Sequence, residues 1–271
     1  MLKRIIAINS NCYHGYTLEE AIAGISAAGF KYIELTATKG WTEHVFPTMS
    51  LNELWAVKEK LQAANLVPFS MSGHTNLMDK ARIADFINNM RLAHFFGCDF
   101  IVSSIGEAHL EDKAVLSNEA VADQIRSLVP HLEAYGLKLV LENHGEHATG
   151  KIIKSIVDLV GSERVMINYD TANVIYFAGE DPVDDMLACM DQIGHMHIKD
   201  KIGGAHEWHF PALGQGYVDF TRILSELDKA GNTSPLSIEI EFTHAGSKDL
   251  DEVNQAVKTS YDYLKGLGLE F

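Results

Sequence analysis

Eight short, apolar, strand-like runs recur along the chain with amphipathic segments between them. The runs are RIIAINS (4–10), KYIEL (31–35), VPFSMSG (67–73), DFIVSSI (99–105), KLVLEN (138–143), VMINYD (165–170), GHMHIK (194–199) and LSIEIEF (236–242). The intervening segments carry helix punctuation. TLEEAIAGISAAG repeats apolar residues at helical spacing and ends on Gly29, a C-cap signal. SLNELWAVKEKLQAANL starts on Ser50 with Glu53 three residues on, a capping-box pattern. SNEAVADQIRSLVPHLEAYG and KIIKSIVDLVG also close on glycine. Strand–helix alternation of this kind predicts a parallel sheet. Eight units predict closure into a (β/α)8 TIM barrel rather than an open doubly wound sheet.

The 271 residues fit that reading, since such barrels take about 250. No Gly-rich dinucleotide loop follows the first strand, and no linker or low-complexity segment divides the chain. One domain over residues 1–271 is therefore expected. The longest irregular stretches, 36–50 and 200–216, each follow a strand, and in a barrel they crown the C-terminal face, where active sites sit.

Charge narrows the partners. Thirty-seven acidic residues against 22 Lys and Arg give −15, which repels a phosphate backbone, so nucleic acid is not expected. No apolar run approaches the roughly 20 residues of a membrane span. MLKRIIAINS reads as a first strand rather than a signal peptide, and a cytoplasmic location is expected. Cys12, Cys98 and Cys189 are scattered and form no CxxC, so reduced thiols are expected.

The seventh run holds the chemistry. Side chains alternate across a strand, so His195, His197 and Lys199 share one face while Met196 and Ile198 share the other. In a barrel the apolar pair packs on the helices and the polar trio points inward. A lone inward His is commonly just a hydrogen-bonded core residue. Here Glu142 ends the fifth run, Asp170 ends the sixth, and Glu239 and Glu241 lie in the eighth. Burying one unpaired charge is costly. A salt bridge or helix N-cap could explain each acid separately, whereas one bound cation accounts for all four strands. Three carboxylates and an imidazole suit a hard or borderline divalent ion such as Mn²⁺, Mg²⁺, Co²⁺ or Zn²⁺.

At these residues the chain resembles the xylose isomerase-like TIM-barrel superfamily, in particular its sugar isomerase/epimerase branch. The matching pieces are LENHG (141–145), NYDTANV (168–174), GHMHIKDK (194–201), FPALGQGYVDF (210–220) and SIEIEF (237–242). The resemblance implies one divalent metal held by Glu142, Asp170, His197 and Glu239, with Glu142 and Glu239 doubling as the acid/base pair. It implies an isomerase or epimerase of a sugar or keto-sugar that removes a proton next to a carbonyl, the enediolate charge being stabilised by the metal. The alternative is a lyase of inosose or keto-sugar dehydratase type on the same scaffold, in which Lys199 or His144 protonates a leaving hydroxyl. Expected substrate contacts are His14, His74, His144, Asn173 and His209. Asn173 falls where ketose epimerases carry a His, and no Arg stands near Gly203, so recognition is expected to differ from theirs. Glu34 reads equally as an ion-pair partner inside the barrel, Trp41 as a sugar platform or rim cap, and His206 with His209 as a second metal site or part of a loop closing over substrate with Gly214 and Gly216 as its turns. An apurinic-site endonuclease shares the superfamily but conflicts with the −15 charge. A non-catalytic sugar-binding barrel would leave Glu142→Gln altered only in binding. Similar proteins commonly form dimers or tetramers, so a homo-oligomer is compatible with the sequence, although no segment specifies an interface.

Overall fold

The computed structural model describes residues 1–106 and 116–271. Eight parallel strands form its centre: β1 (Ile6–Asn9), β2 (Tyr32–Thr38), β3 (Val67–Ser72), β4 (Phe100–Ser104), β5 (Lys138–Glu142), β6 (Val165–Asp170), β7 (Ile193–Ile198) and β8 (Leu236–Ile238). Each pairs with its neighbours in sequence, and β1 pairs with both β2 and β8, which closes the barrel. Strands buried on both faces read as continuous apolar runs, which is why all eight are visible in the sequence.

Helices surround the barrel, among them α1 (Leu18–Ala28), α2 (Leu51–Ala63), α3 (Ile83–Phe96), α4 (Asn118–Arg126), α5 (Val129–Tyr135), α6 (Gly150–Val160), α7 (Pro182–Cys189), α8 (Phe220–Lys229) and α9 (Leu250–Gly266). The Ser50–Glu53 capping box forms on α2, and Gly29 caps α1 at φ 106°. The segment 117–136, expected as one helix, is two. Pro130 has no N–H to give the carbonyl of Arg126, so the chain breaks at Ser127–Leu128 and restarts with proline in the first turn of α5. The two irregular loops also differ from expectation. Thr42–Glu43 folds back antiparallel on the end of β2, and His209–Phe210 pairs antiparallel with Phe242–Thr243. The three cysteines are free and buried.

One irregularity aims the central histidines. Ile167 pairs with Ile193, but Asn168 pairs with His195, leaving Gly194 as an extra residue in β7. A Cβ at Gly194 would sit 2.6 Å from the Met166 sulfur. The bulge re-registers β7 so that His195 and His197 point into the barrel while Met196 and Ile198 join the apolar core.

Candidate metal centre and active site

The inward polar side chains form layers. In the lower layer His195 Nδ1 donates to Asn168 Oδ1 (2.8 Å), and its Nε2 lies 3.3 Å from Glu34 Oε2. Its ring stacks on Phe69, with centroids 5.5 Å apart. His195 is therefore a structural member of the barrel interior, and the sequence reading of Glu34 as an internal ion-pair partner holds. Glu34 also meets His197 Nε2 at 3.0 Å and accepts from Asn9 Nδ2 at 3.2 Å. Burial alone would raise the Glu34 carboxyl, but His197, through its charge and its Nε2 hydrogen bond, with His195 beside it, holds it well below the usual carboxylate range.

Above this layer Glu142, Asp170, His197 and Glu239 converge. One donor atom from each lies within 4.8 Å of all the others, and all four residues are buried. Four strand ends supply them: β5, β6, β7 and the residue just past β8, whose N–H still bonds the Ile198 carbonyl. His197 Nδ1 faces the carboxylates, 2.6 Å from Glu142 Oε1 and 3.7 Å from Glu239 Oε2. Asp170 Oδ1 is occupied by the N–H groups of Ala172 and Asn173, whereas Oδ2 accepts no hydrogen bond among the described residues and lies 3.2 Å from the Lys199 ammonium. Asn9 Nδ2 donates to Glu239 Oε1 at 3.0 Å.

Lys199 is 2 % exposed and completes the cluster. Its Nζ lies 2.8 Å from Glu239 Oε2 and 3.2 Å from Glu241 Oε2. Burial disfavours the ammonium, but Asp170, Glu239 and Glu241 hold it charged well above the ordinary lysine range. Around it the acids feel their crowding. Burial, with Glu142 and Glu239 nearby, pushes Asp170 up to about 6, and burial, with Glu239 nearby, pushes Glu241 up to about 7. Five buried or nearly buried carboxyl groups thus face the Lys199 ammonium and the imidazoles of His195, His197 and His74. A divalent cation relieves such an excess, and a convergent set of three carboxylates and an imidazole, with Asp170 Oδ2 lacking a hydrogen-bond donor, fits one.

The other expected contacts divide. A cavity of about 290 Å³ opens over the quartet, lined by Glu142, Glu239, Lys199, Glu241, His74 and His144 among others. The backbone N–H of Ser104 donates to His74 Nδ1 (3.0 Å), which leaves the His74 proton on Nε2, 3.6 Å from Glu142 Oε2. Three expected contacts lie outside this cavity. His14 does not line this cavity; it stacks beneath Trp41, ring centroids 4.2 Å apart, in the adjoining one. Asn173 lies behind Lys199, accepting from its Nζ at 3.4 Å, because its own N–H is tied to Asp170 at the turn after β6. His209 faces a separate surface groove, since the alternation of its short strand turns Phe210 inward instead. Among the described residues, groupings of three or more possible ligands occur at two places, and neither includes His206 or His209. Asn9 and Ser104 were not read as site residues, although each ends its strand on a polar side chain, the same signal that revealed Glu142 and Asp170. Glu241, read beside Glu239 in the eighth run, lies against Lys199 and outside the quartet.

Asp200, fully buried, organises the loop over the mouth. Its carboxylate accepts from the N–H groups of Lys201 (2.8 Å), Gly214 (2.9 Å), Gly216 (2.8 Å) and Val218 (3.1 Å). A Cβ at Gly216 would lie 2.4 Å from the Lys201 carbonyl, so glycine is required where the loop passes the carboxylate. Asp200→Ala is expected to cost about 3 kcal/mol, since four backbone donors, those of Lys201 and Val218 buried, lose a charged acceptor. Urea unfolding measures the loss, and proteolysis confined to 202–217 reports the freed loop; unchanged stability would show that water replaces the carboxylate.

Comparison with known proteins agrees with this architecture. An inosose dehydratase of Clostridium beijerinckii is 25% identical over 258 residues, covering 83% of this chain and 82% of that protein. Among solved structures, a D-psicose 3-epimerase in the presence of D-fructose superposes with a TM-score of 0.78 at 15% identity, over 97% of this chain and 99% of that one. The IOLI protein with a bound zinc atom gives 0.77 at 20% identity, over 97% of both chains. The xylose isomerase-like TIM barrel profile matches residues 22–267. With a closed eight-stranded barrel and that match over most of its length, the chain belongs to the xylose isomerase-like TIM barrel family.

Proposed function

We propose that this protein is a divalent-metal-dependent lyase that removes water from an inosose or related keto-sugar. The observation that carries the reading is Lys199, a buried ammonium in the same small cavity as two carboxylates able to act as base. The similarity to an inosose dehydratase supports the lyase alternative over the isomerase or epimerase reading with which the sequence began. Mn²⁺, Mg²⁺, Co²⁺ and Zn²⁺ all suit Glu142, Asp170, His197 and Glu239 as ligands, and such a cation supplies Lewis-acid stabilisation of charge developing on a substrate oxygen.

The residues of the chain divide the proton work. Burial disfavours the Glu142 charge, but His197 and His74 keep this carboxylate ionised, so it accepts the proton on the carbon next to the carbonyl. That electron pair forms a carbon–carbon double bond, and the bond to the hydroxyl one carbon further on breaks. Lys199 Nζ gives this oxygen a proton, water leaves, and an unsaturated ketone remains. Glu241, 3.2 Å from Nζ, is placed to return a proton to the amine. His74 and His144, on the same wall, hold substrate hydroxyl groups.

Incubating metal-loaded protein with a keto-inositol in D₂O tests the reading. A product one water lighter, lost on chelation, is expected. A product that has lost no water and carries carbon-bound solvent deuterium would favour epimerisation, for which Glu142 and Glu239 in one cavity already supply two carboxylates. Turnover indifferent to chelator would overturn both.

A further inference from the structure

A second cavity of about 600 Å³ adjoins the first, and Asn11, Trp41 and Glu241 belong to the walls of both. Its character is different. The first is ringed by carboxylates and imidazoles around an ammonium; the second is walled by Trp41, Trp208, Tyr176 and Phe177. Each indole is held flat by a histidine. His14 stacks on Trp41 at 4.2 Å with 15° between planes, and His244 stacks on Trp208 at 5.2 Å with 25°. The edges are fixed as well: Trp41 Nε1 donates to Asn11 Oδ1 (3.1 Å), and Tyr176 packs edge-on against Trp208 at 5.5 Å. Among the described residues its wall holds Glu241 but no Lys or Arg, and aromatic rings make up much of the rest. Phe242, at the floor, is held at φ 57°, a left-handed conformation that a bulky residue adopts only under constraint.

A free monocyclic keto-sugar occupies the first cavity and leaves the second without a role. Aromatic planes suit the apolar faces of a ring, and the shared wall at Trp41 brings them next to the reacting sugar. We infer that the natural substrate is a glycoside: its keto-sugar ring sits over the quartet, and a second flat-faced ring, joined through a glycosidic oxygen, rests on Trp41 and Trp208. The inference rests on the keto-sugar reading of the site and specifies its substrate class.

Binding tests it without turnover. The chain has three tryptophans, and Trp55 is exposed on α2, away from both cavities. In a Trp55→Phe background, tryptophan fluorescence therefore comes only from Trp41 and Trp208. Phenyl β-D-glucopyranoside and cellobiose are titrated against methyl β-D-glucopyranoside. The two-ring probes are expected to quench and to bind about tenfold more tightly than the methyl glycoside. The phenyl and cellobiose arms separate an aryl second ring from a sugar one. Trp208→Ala is expected to abolish the preference while leaving methyl glycoside binding intact, and near-UV circular dichroism of Trp41→Phe provides a folded second variant. Equal affinity for all three probes, no quenching by any, or a preference that survives both variants overturns the inference. A ring preference in a protein that releases no water from keto-sugars would instead sink the lyase reading and leave the second-ring site standing.

Discussion

Changing Lys199 to glutamine is expected to lower water elimination about 10³-fold while exchange of the proton next to the carbonyl with D₂O persists. The two half-reactions use different groups. Proton removal needs a carboxylate, and Glu142 is untouched by the change. Departure of hydroxide needs a proton, and Lys199 Nζ is the buried cation of the cavity placed to give one, 2.8 Å from Glu239 and 3.2 Å from Glu241. Glutamine, one atom shorter, keeps an N–H donor but has no proton to surrender. The risk is that three carboxylates lose their counter-charge, and a buried acid left unpaired costs several kcal/mol. Thermal unfolding with and without added divalent metal separates the effects. A variant unfolded in both states reports on stability, whereas a folded variant that exchanges but does not eliminate reports on Lys199 as the acid. Elimination within tenfold of the parent would remove Lys199 from the mechanism and leave His144 as the donor.

Lys199 and the four residues of the quartet stand out in the sequence for one physical reason. A barrel strand is buried on both faces, so a charged residue inside an apolar run must have a partner. Glu142, Asp170, His197 and Glu239 all broke that rule in successive strands. What could not be read was depth. His195 and His197 share a face and a residue type, yet a barrel's stagger puts one against Phe69 beneath the centre and the other at the centre itself. The same limit applies to His209. Its orientation depends on pairing with Phe242–Thr243, more than thirty residues away in sequence, a contact that no local pattern encodes. The aromatic cavity was hidden for the same reason, since Trp41, Tyr176, Phe177 and Trp208 come from three different loops and meet only in the closed ring. The break at Pro130 was there to be seen; apolar periodicity across it outweighed the missing donor in the reading of that segment.

Depth also gives Glu34 a function that its position in β2 does not announce. Holding a cation through His197 Nδ1 requires that nitrogen to be free of its proton, and the remaining proton must stay on Nε2. Glu34 Oε1 is 3.0 Å from Nε2 and anchors it there, while Asn9 bridges Glu34 and Glu239 from the side. A carboxylate behind a ligating imidazole fixes its tautomer and raises its basicity, and losing such a partner costs about 10–100-fold in metal affinity. Glu34→Gln is therefore expected to weaken Zn²⁺ or Mn²⁺ binding by that factor, about 1.4–2.8 kcal/mol, in competition with a chromophoric chelator. The amide can still accept from Nε2–H, so the ring keeps its place and the change tests charge rather than packing. Asp170→Asn removes a proposed ligand outright and should lose more, which sets the scale for the measurement. Metal affinity for Glu34→Gln within twofold of the parent would mean that the Glu34–His195–His197 layer serves only to fill the barrel, and that the quartet orients itself without support from below.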